Sequence, residues 1–415
     1  MIKVIWLSNV RFSTSKLKQT GSWLQPLAMK LQESKEVEVI NICRGKIKTM
    51  QIENVNNIKQ YVLPIQKDKY YGQIPCKETT RKVISIIDDE KPNLVHIWGT
   101  ESIWAYMHYI QKISAKTLID IQGLLAPYTA YYYGGLTNKE ILQSIHFKEL
   151  IMPQRSLFWK KLIFKRRGEL ETKFLKSFNF ISVQSNWVKQ YINYIVPDAK
   201  IFPTGIMLRE KFYDAKPWHY NNNIDHPIIF SMCTAAVSYK GIHVLIKTMA
   251  LLKQTFPNIV LNLAGSINVG NRLLDGYSIF INKLINELNL QNNIHYLGSI
   301  DEDEIIKRLQ ECNVCVIPSF IETYCLAFAE AMIIGTPTVT SYTGAMPELA
   351  EHKKETLFYN SIDHYTAATY ISELITNKEL ANFISHNARN KRLKNNNPER
   401  VLENQLNIYK SIIND

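Results

Sequence analysis

Residues Pro318–Glu348 read PSFIETYCLAFAEAMIIGTPTVTSYTGAMPE, and this stretch sets Glu322 and Glu330 eight residues apart around a strand-to-helix turn. Before it, Cys312–Ile317 (CNVCVI) is the short apolar run a buried parallel strand needs. After the turn, Leu326–Ile334 reads as an apolar helix, closed by the helix-stop residue Gly335 with Pro337 just beyond. Such a unit puts helix amides and a carboxylate at the carboxyl edge of a sheet, where open α/β folds bind phosphorylated ligands. The alternative is a solvated loop acid followed by a helix acid complementing the dipole, which accounts for Glu330 better than for Glu322.

Working outward, short β-branched runs alternate with amphipathic stretches in both halves, the pattern of parallel sheets covered by helices. A chain of 415 residues is too long for one core and fits two domains. Hydrophobic content of 46% and charge of 21% are those of a globular protein, neither disordered nor fibrous. The polar segment Asp214–His226, with Pro217 and three consecutive asparagines, reads as the linker. The expected division is residues 1–213, linker 214–226 and residues 227–395, with a helix over 396–415 returning to the first domain. MIKVIWLSNVR meets Arg11 too soon for a signal peptide, and no segment approaches the roughly 20 apolar residues of a spanning helix. The expected location is cytoplasmic, with reduced thiols. Of six scattered cysteines, the close pair Cys312 and Cys315 sits inside an apolar strand, where a structural role is favoured over metal or redox chemistry.

Glu322 to Glu330, then Glu330–Pro337 as E-A-M-x-x-G-x-P and Gly344–Glu348 as GAMPE, resemble the E-x7-E signature of the retaining glycosyltransferases of family four. That resemblance implies an α/β protein of GT-B fold, two Rossmann-like parallel-sheet domains facing a central cleft, that transfers a sugar from a nucleotide-diphosphate sugar. Carried over by position, Glu330 would accept the ribose hydroxyls and Lys240, in Tyr239-Lys240-Gly241, would hold the diphosphate. Glu322 would lie beside the sugar, and the amides of Tyr324, Cys325 and Leu326 would face sugar or phosphate. The family often has glycine where Cys325 stands. It also carries an arginine shortly before the lysine, and Ser231–Tyr239 has none, so Thr234 and Ser238 are candidate neutral donors in its place. Gly265 resembles the strand end where the nucleotide approaches the backbone, and Gly21 the glycine loop of the first domain. No metal or other cofactor is implied; Asp301-Glu302-Asp303 fits a helix start better than a metal site.

In the first domain, His96 in NLVHIWG resembles a strand-end histidine facing the cleft, which implies a catalytic role for it beside Glu322 and Lys240, with a hydrogen-bonded core histidine as the alternative. Gln122 stands at the next strand end. Tyr128–Gly135 (YTAYYYGG) reads as a mobile loop, with Tyr131 and Tyr132 as acceptor-side candidates. Residues 148–176 hold nine cations against three glutamates, +6 of the chain's formal +12, interleaved with Leu157, Phe158, Trp159, Leu162, Ile163 and Phe164. A basic helix over about 148–177 of this composition suits an anionic membrane surface, or simply buries one face and solvates its lysines. The resemblance implies a glycan or lipid-linked acceptor, and the membrane reading of the basic helix a peripheral position on the inner face of the cell membrane. No nucleic-acid recognition motif accompanies the charge, and no G-x-G-x-x-G points to a dehydrogenase. Two competing functions are a nucleotide-sugar epimerase of the same fold and a non-catalytic sugar-nucleotide binding partner.

Overall fold

The computed structural model describes residues 1–13, 23–145, 148–266 and 275–415. They form two compact units, Met1–Pro127 with Ile163–Arg209 and Asn396–Asp415, and Tyr128–Leu162 with Glu210–Asn395. The segment from Tyr128 to Leu162, expected in the first domain, thus packs with the second.

The first unit is built on eight strands: β1 (Ile2–Leu7), β2 (Val37–Gly45), β3 (Gln51–Val55), β4 (Ile58–Pro64), β5 (Leu94–Trp98), β6 (Lys116–Ile121), β7 (Phe180–Val183) and β8 (Lys200–Pro203). Their order is β3-β4-β2-β1-β5-β6-β7-β8, parallel except for the β3–β4 edge hairpin. Central strands such as β5 (LVHIW) are buried along their whole length, as helices on both faces of a parallel sheet require. The β3–β4 hairpin escapes a search for apolar runs because β3 (QIENV) is polar and mostly exposed. Its signal is the turn Asn56-Asn57, with φ of 50° and 61°, the left-handed pair of a two-residue hairpin.

The last helix, Pro398–Asn414, buries Val401, Leu406, Ile408, Tyr409 and Ile412. Lys116 Nζ donates to the carbonyls of Ile412 (3.0 Å) and Ile413 (3.1 Å), closing the helix end with a cation. The buried Tyr409 hydroxyl accepts from Trp6 Nε1 at 3.0 Å and meets His96 Nδ1 at 2.8 Å. This helix therefore completes the core of the first unit.

The second unit holds β9 (Ile228–Ala235), β10 (Val260–Ser266), β11 (Ile294–Gly298), β12 (Val314–Ile317), β13 (Thr338–Ser341) and β14 (Leu357–Tyr359), all parallel in the order β11-β10-β9-β12-β13-β14. The expected linker is less free than its composition suggests. Trp218 is buried, its amide donates to the Ile334 carbonyl at 2.8 Å and its indole to the Cys312 carbonyl at 2.7 Å. Among the described residues no helix is long and apolar enough to cross a membrane.

Candidate functional site

In the second sheet the chain runs outward from β9 through β10 to β11, then returns to the other side of β9 to form β12. The order reverses between β9 and β12, so a crevice opens beyond their carboxyl ends, the place where parallel sheets take ligands. Two connections emerge there. After β9, the 3-10 turn Ser238–Lys240 leads through Gly241 into the helix Ile242–Thr255. After β12, a loop carries Glu322 into the helix Leu326–Ile334.

Backbone contacts lock these connections together. Gly241 has φ of 71°, and a Cβ there would overlap the Pro318 carbonyl, while the Phe320 amide donates to the Tyr239 carbonyl at 2.8 Å. Gly344 of the GAMPE segment likewise lies against the Glu322 backbone, and the next amide, of Ala345, donates to the Glu322 carbonyl at 3.0 Å. The result is an ion pair, Lys240 Nζ to Glu322 Oε1 at 2.5 Å, with side chains 24% and 9% exposed. Burial works against the Lys240 ammonium. The charge of Glu322, followed by Cys325, Tyr128 and the hydrogen bond itself, outweighs it and raises the pKa above the usual lysine range.

Cys325 caps the helix at φ of 80° and ψ of 83°, a conformation that costs a side-chain-bearing residue on the order of 1–3 kcal/mol. Glycine adopts it without that penalty, which gives a physical reason for glycine at this position in the resembling family. Burial, then the neighbouring Glu322, pushes the Cys325 thiol well up, so it stays protonated. Glu330 sits in the same helix at 8% exposure, and Tyr324 bonds Arg392, whose Nη2 donates to the Leu349 carbonyl at 2.9 Å. Gly265, the last residue but one of β10, has φ of 127°. Among the described residues no three His, Cys, Asp or Glu side chains gather as metal ligands would, and Asp301 caps the helix Glu302–Glu311 by accepting from the Glu304 amide at 3.0 Å.

The tyrosine segment belongs to this site, and it is anchored rather than mobile. Ser238 Oγ donates to the Tyr132 carbonyl, so Ser238, expected among donor ligands, is buried and engaged. Tyr128 and Tyr132 set their rings edge-on or tilted to Tyr239, with centroids 5.7 and 5.9 Å away, and the Tyr128 hydroxyl bonds Thr323, next to Glu322. Tyr132 is buried, whereas Tyr131 is exposed and joins Phe320, Tyr342 and Gly344 around a cavity of about 360 Å³. Gly21 and the side chain of Thr234, both expected near the donor, lie outside the described residues.

His243 fastens the segment from below. Its Nε2 meets the Gly134 carbonyl and its Nδ1 the Tyr277 hydroxyl, each at 2.9 Å. A neutral ring protonated at Nε2 satisfies both, donating to the carbonyl and accepting from the phenol. Burial, reinforced by Lys247, lowers its pKa to about 4. The unfolded chain takes up that proton near pH 6.5, so this stabilisation is present above pH 6.5 and lost as pH falls toward 4. The melting temperature is expected to fall over that window, and more steeply in the parent than in His243→Gln; parallel profiles would refute the assignment.

In the first unit the expected catalytic histidine takes the alternative role. His96 is the third residue of β5, fully buried, its ring tilted against Trp98 with centroids 3.9 Å apart and bonded to Tyr409, and burial holds its pKa well below the usual range. Trp98, two residues on in the same strand, and Tyr409, more than three hundred positions away, enclose it, and no local pattern announces the second. Gln122 follows the end of β6 near Glu101, an acid that no motif marks in the sequence, whose pKa burial raises to about 7. The basic stretch is partly consumed by pairing: Lys160 meets Asp275 at 2.6 Å and Lys161 lies 4.1 Å over the Tyr133 ring.

Residues 215–391, most of the second unit, match the family described as Glycosyl transferases group 1. A curated relative, the uncharacterised glycosyltransferase YqgM of Bacillus subtilis, is 29% identical over 180 residues, 43% of this chain and 48% of that protein. The chain spans about half the length of the curated relatives it matches, 48% and 42% for two of them. Among solved structures, a sucrose-phosphate synthase from Thermosynechococcus elongatus superposes with a TM-score of 0.72 at 17% identity, over 99% of both chains. Anabaena HepE, in complex with UDP and glucose, superposes with a TM-score of 0.69 at 15% identity, over 99% of this chain and 100% of that one. The chain has the GT-B fold, and its residues 215–391 carry the match to Glycosyl transferases group 1.

Proposed function

We propose that this protein is a retaining glycosyltransferase. It moves a hexosyl or N-acetylhexosaminyl unit from a nucleotide-diphosphate sugar to a glycan or lipid-linked acceptor, one step of polysaccharide or glycolipid assembly. The observation that carries the reading is the buried Lys240–Glu322 pair at the point where the second sheet reverses order, beside the amino end of the helix bearing Glu330. The group 1 match over the same residues supports it, and HepE, in complex with UDP and glucose, supports testing UDP-sugars first.

In this reading Glu330 accepts the ribose hydroxyls, and the chain passes close to the nucleotide at Gly265. The diphosphate takes Lys240 and the amides of Tyr324, Cys325 and Leu326. Glu322 lies beside the sugar and, held by its ion pair, acts as a positioning group. The acceptor hydroxyl attacks on the face the leaving group departs from, and the leaving diphosphate takes its proton. Lys240 stabilises the charge that grows there. No metal takes part in this scheme.

Contact with an anionic membrane through residues 148–176 is part of the proposal. With Lys160 and Lys161 engaged, it rests more on the exposed apolar side chains Ile151, Met152 and Phe158, and on Leu142 and Ile145 just before them. Incubation with a panel of nucleotide sugars tests the reading. Slow hydrolysis with nucleotide release fits a transferase, interconversion of sugars fits an epimerase, and binding without turnover fits a non-catalytic partner.

Glu330→Gln is expected to weaken UDP binding about tenfold, since hydrogen bonds to a charged group contribute about 1.5–3 kcal/mol. Calorimetry giving the parent's affinity would take Glu330 out of the site.

A further inference from the structure

The first unit carries a second cavity that the donor chemistry leaves unused. It has a volume of about 630 Å³ and lies between the loop after β4 and the helix Leu157–Leu175. That is the size of a small-ligand site. Lys69, Arg166, Arg167 and Lys173 line it against a single carboxylate, Glu169. Arg167 is held in place by donating from Nη2 to the Glu101 carbonyl at 2.6 Å.

Two further features of the same cavity point to a ligand. Gln73 lines it while fully buried, and neither its Nε2 nor its Oε1 has a hydrogen-bond partner among the described residues. A buried amide without partners destabilises the fold, so a polar ligand there would satisfy groups the protein leaves open. Beside it, Tyr70 and Tyr71 both adopt left-handed backbone, φ of 47° and 54°, and remain 66% and 46% exposed. Hydrogen bonds in both directions between Lys69 and Ile74, at 2.7 and 3.2 Å, hold the loop in that shape. Core packing does not explain two strained, exposed tyrosines; a flat sugar face stacking on them does.

We propose that this cavity binds a phosphate-bearing sugar, the acceptor of the transfer. The cations take the phosphate, the tyrosines the ring, and Gln73 a hydroxyl. The identity of the ligand as acceptor rests on the glycosyltransferase reading; the binding site itself does not. The phosphate could belong to a soluble sugar phosphate or to a lipid-linked one.

The test is calorimetry of the full chain with glucose 1-phosphate in the presence of saturating UDP, beside co-sedimentation with neutral vesicles containing a polyprenyl phosphate. Arg166→Gln/Lys173→Gln changes exposed side chains only and is expected to weaken phosphate binding tenfold or more without altering UDP affinity. Gln73→Leu removes an unsatisfied amide, so it is expected to leave the melting temperature equal or higher while weakening the sugar phosphate several-fold. Binding of the soluble probe, or of phosphate-bearing vesicles alone, supports the site and identifies the source. No binding of either by a parent that binds UDP overturns this inference alone, as does equal binding by parent and variants. Failure to bind any nucleotide overturns the donor reading and leaves the probe measurement, made without UDP, to decide the cavity.

Discussion

Lys240→Ala is expected to lower kcat for transfer from a UDP-sugar by about 10²- to 10³-fold, the range seen when one preorganised charge-stabilising group is removed. UDP affinity should change far less, because the ammonium acts most strongly on charge that builds as the sugar leaves. Ser231–Tyr239 holds no arginine to share the task, so the effect should lie toward the upper end. The substitution also leaves Glu322, 9% exposed, without its partner, a loss of up to about 3–5 kcal/mol for a fully buried pair and less here because Lys240 is a quarter exposed. A fall in activity could therefore reflect a loosened loop. Lys240→Ala/Glu322→Gln separates the causes: it should recover most of the melting temperature and little of kcat. Recovery of both would make Lys240 a structural residue. The pH dependence supplies a second check. A raised lysine pKa means the pair's stabilisation is fully present below the unfolded value near 10.4 and is lost only as pH rises past the folded one. No loss of activity between pH 7 and 9.5 should trace to this group.

Features set by local chemistry were legible in the sequence. Cys312–Ile317 could only be a buried strand and Gly335 only a helix stop, so the β12 unit with Glu322 and Glu330 was placed within a residue or two. Features set by distant partners were not. Nothing within a few residues of His96 tells that Tyr409 closes over it, more than three hundred positions away. YTAYYYGG reads as mobile from its composition, yet the Ser238 hydroxyl, the His243 ring and the Tyr239 ring hold it against the ion pair. Lys160 and Lys161 read as free surface charge until Asp275 and Tyr133 meet them. The hairpin before the Gln73 cavity is hidden for a different reason: its Asn56-Asn57 turn is a local signal, but the polar strand beside it has no apolar run to mark it.

Gly241→Ala should lower transfer by about 10²-fold or more, although it adds a single methyl group. Left-handed backbone costs an alanine roughly 1–2 kcal/mol by itself. At Gly241 the added Cβ also overlaps the Pro318 carbonyl, a backbone atom that cannot swing aside as a side chain would. Relief requires the Ser238–Lys240 turn to move away from the Pro318 loop, and that motion pulls on the Tyr239–Phe320 hydrogen bond and on the Lys240–Glu322 pair together. Interiors packed this tightly do not yield by a fraction of an ångström without repacking. Gly298 is the internal control: its φ of 66° is nearly the same as the 71° of Gly241, but nothing lies within 4 Å of the position its Cβ would take. Gly298→Ala should lose only the conformational term, a few degrees of melting temperature, and keep transfer within about twofold. Gly241→Ala should fall further in melting temperature and lose activity by 10²-fold or more. If the two variants behave alike, the clamp between the two connections is not what holds the pair, and the placement of Lys240 must come from the helix Ile242–Thr255 alone.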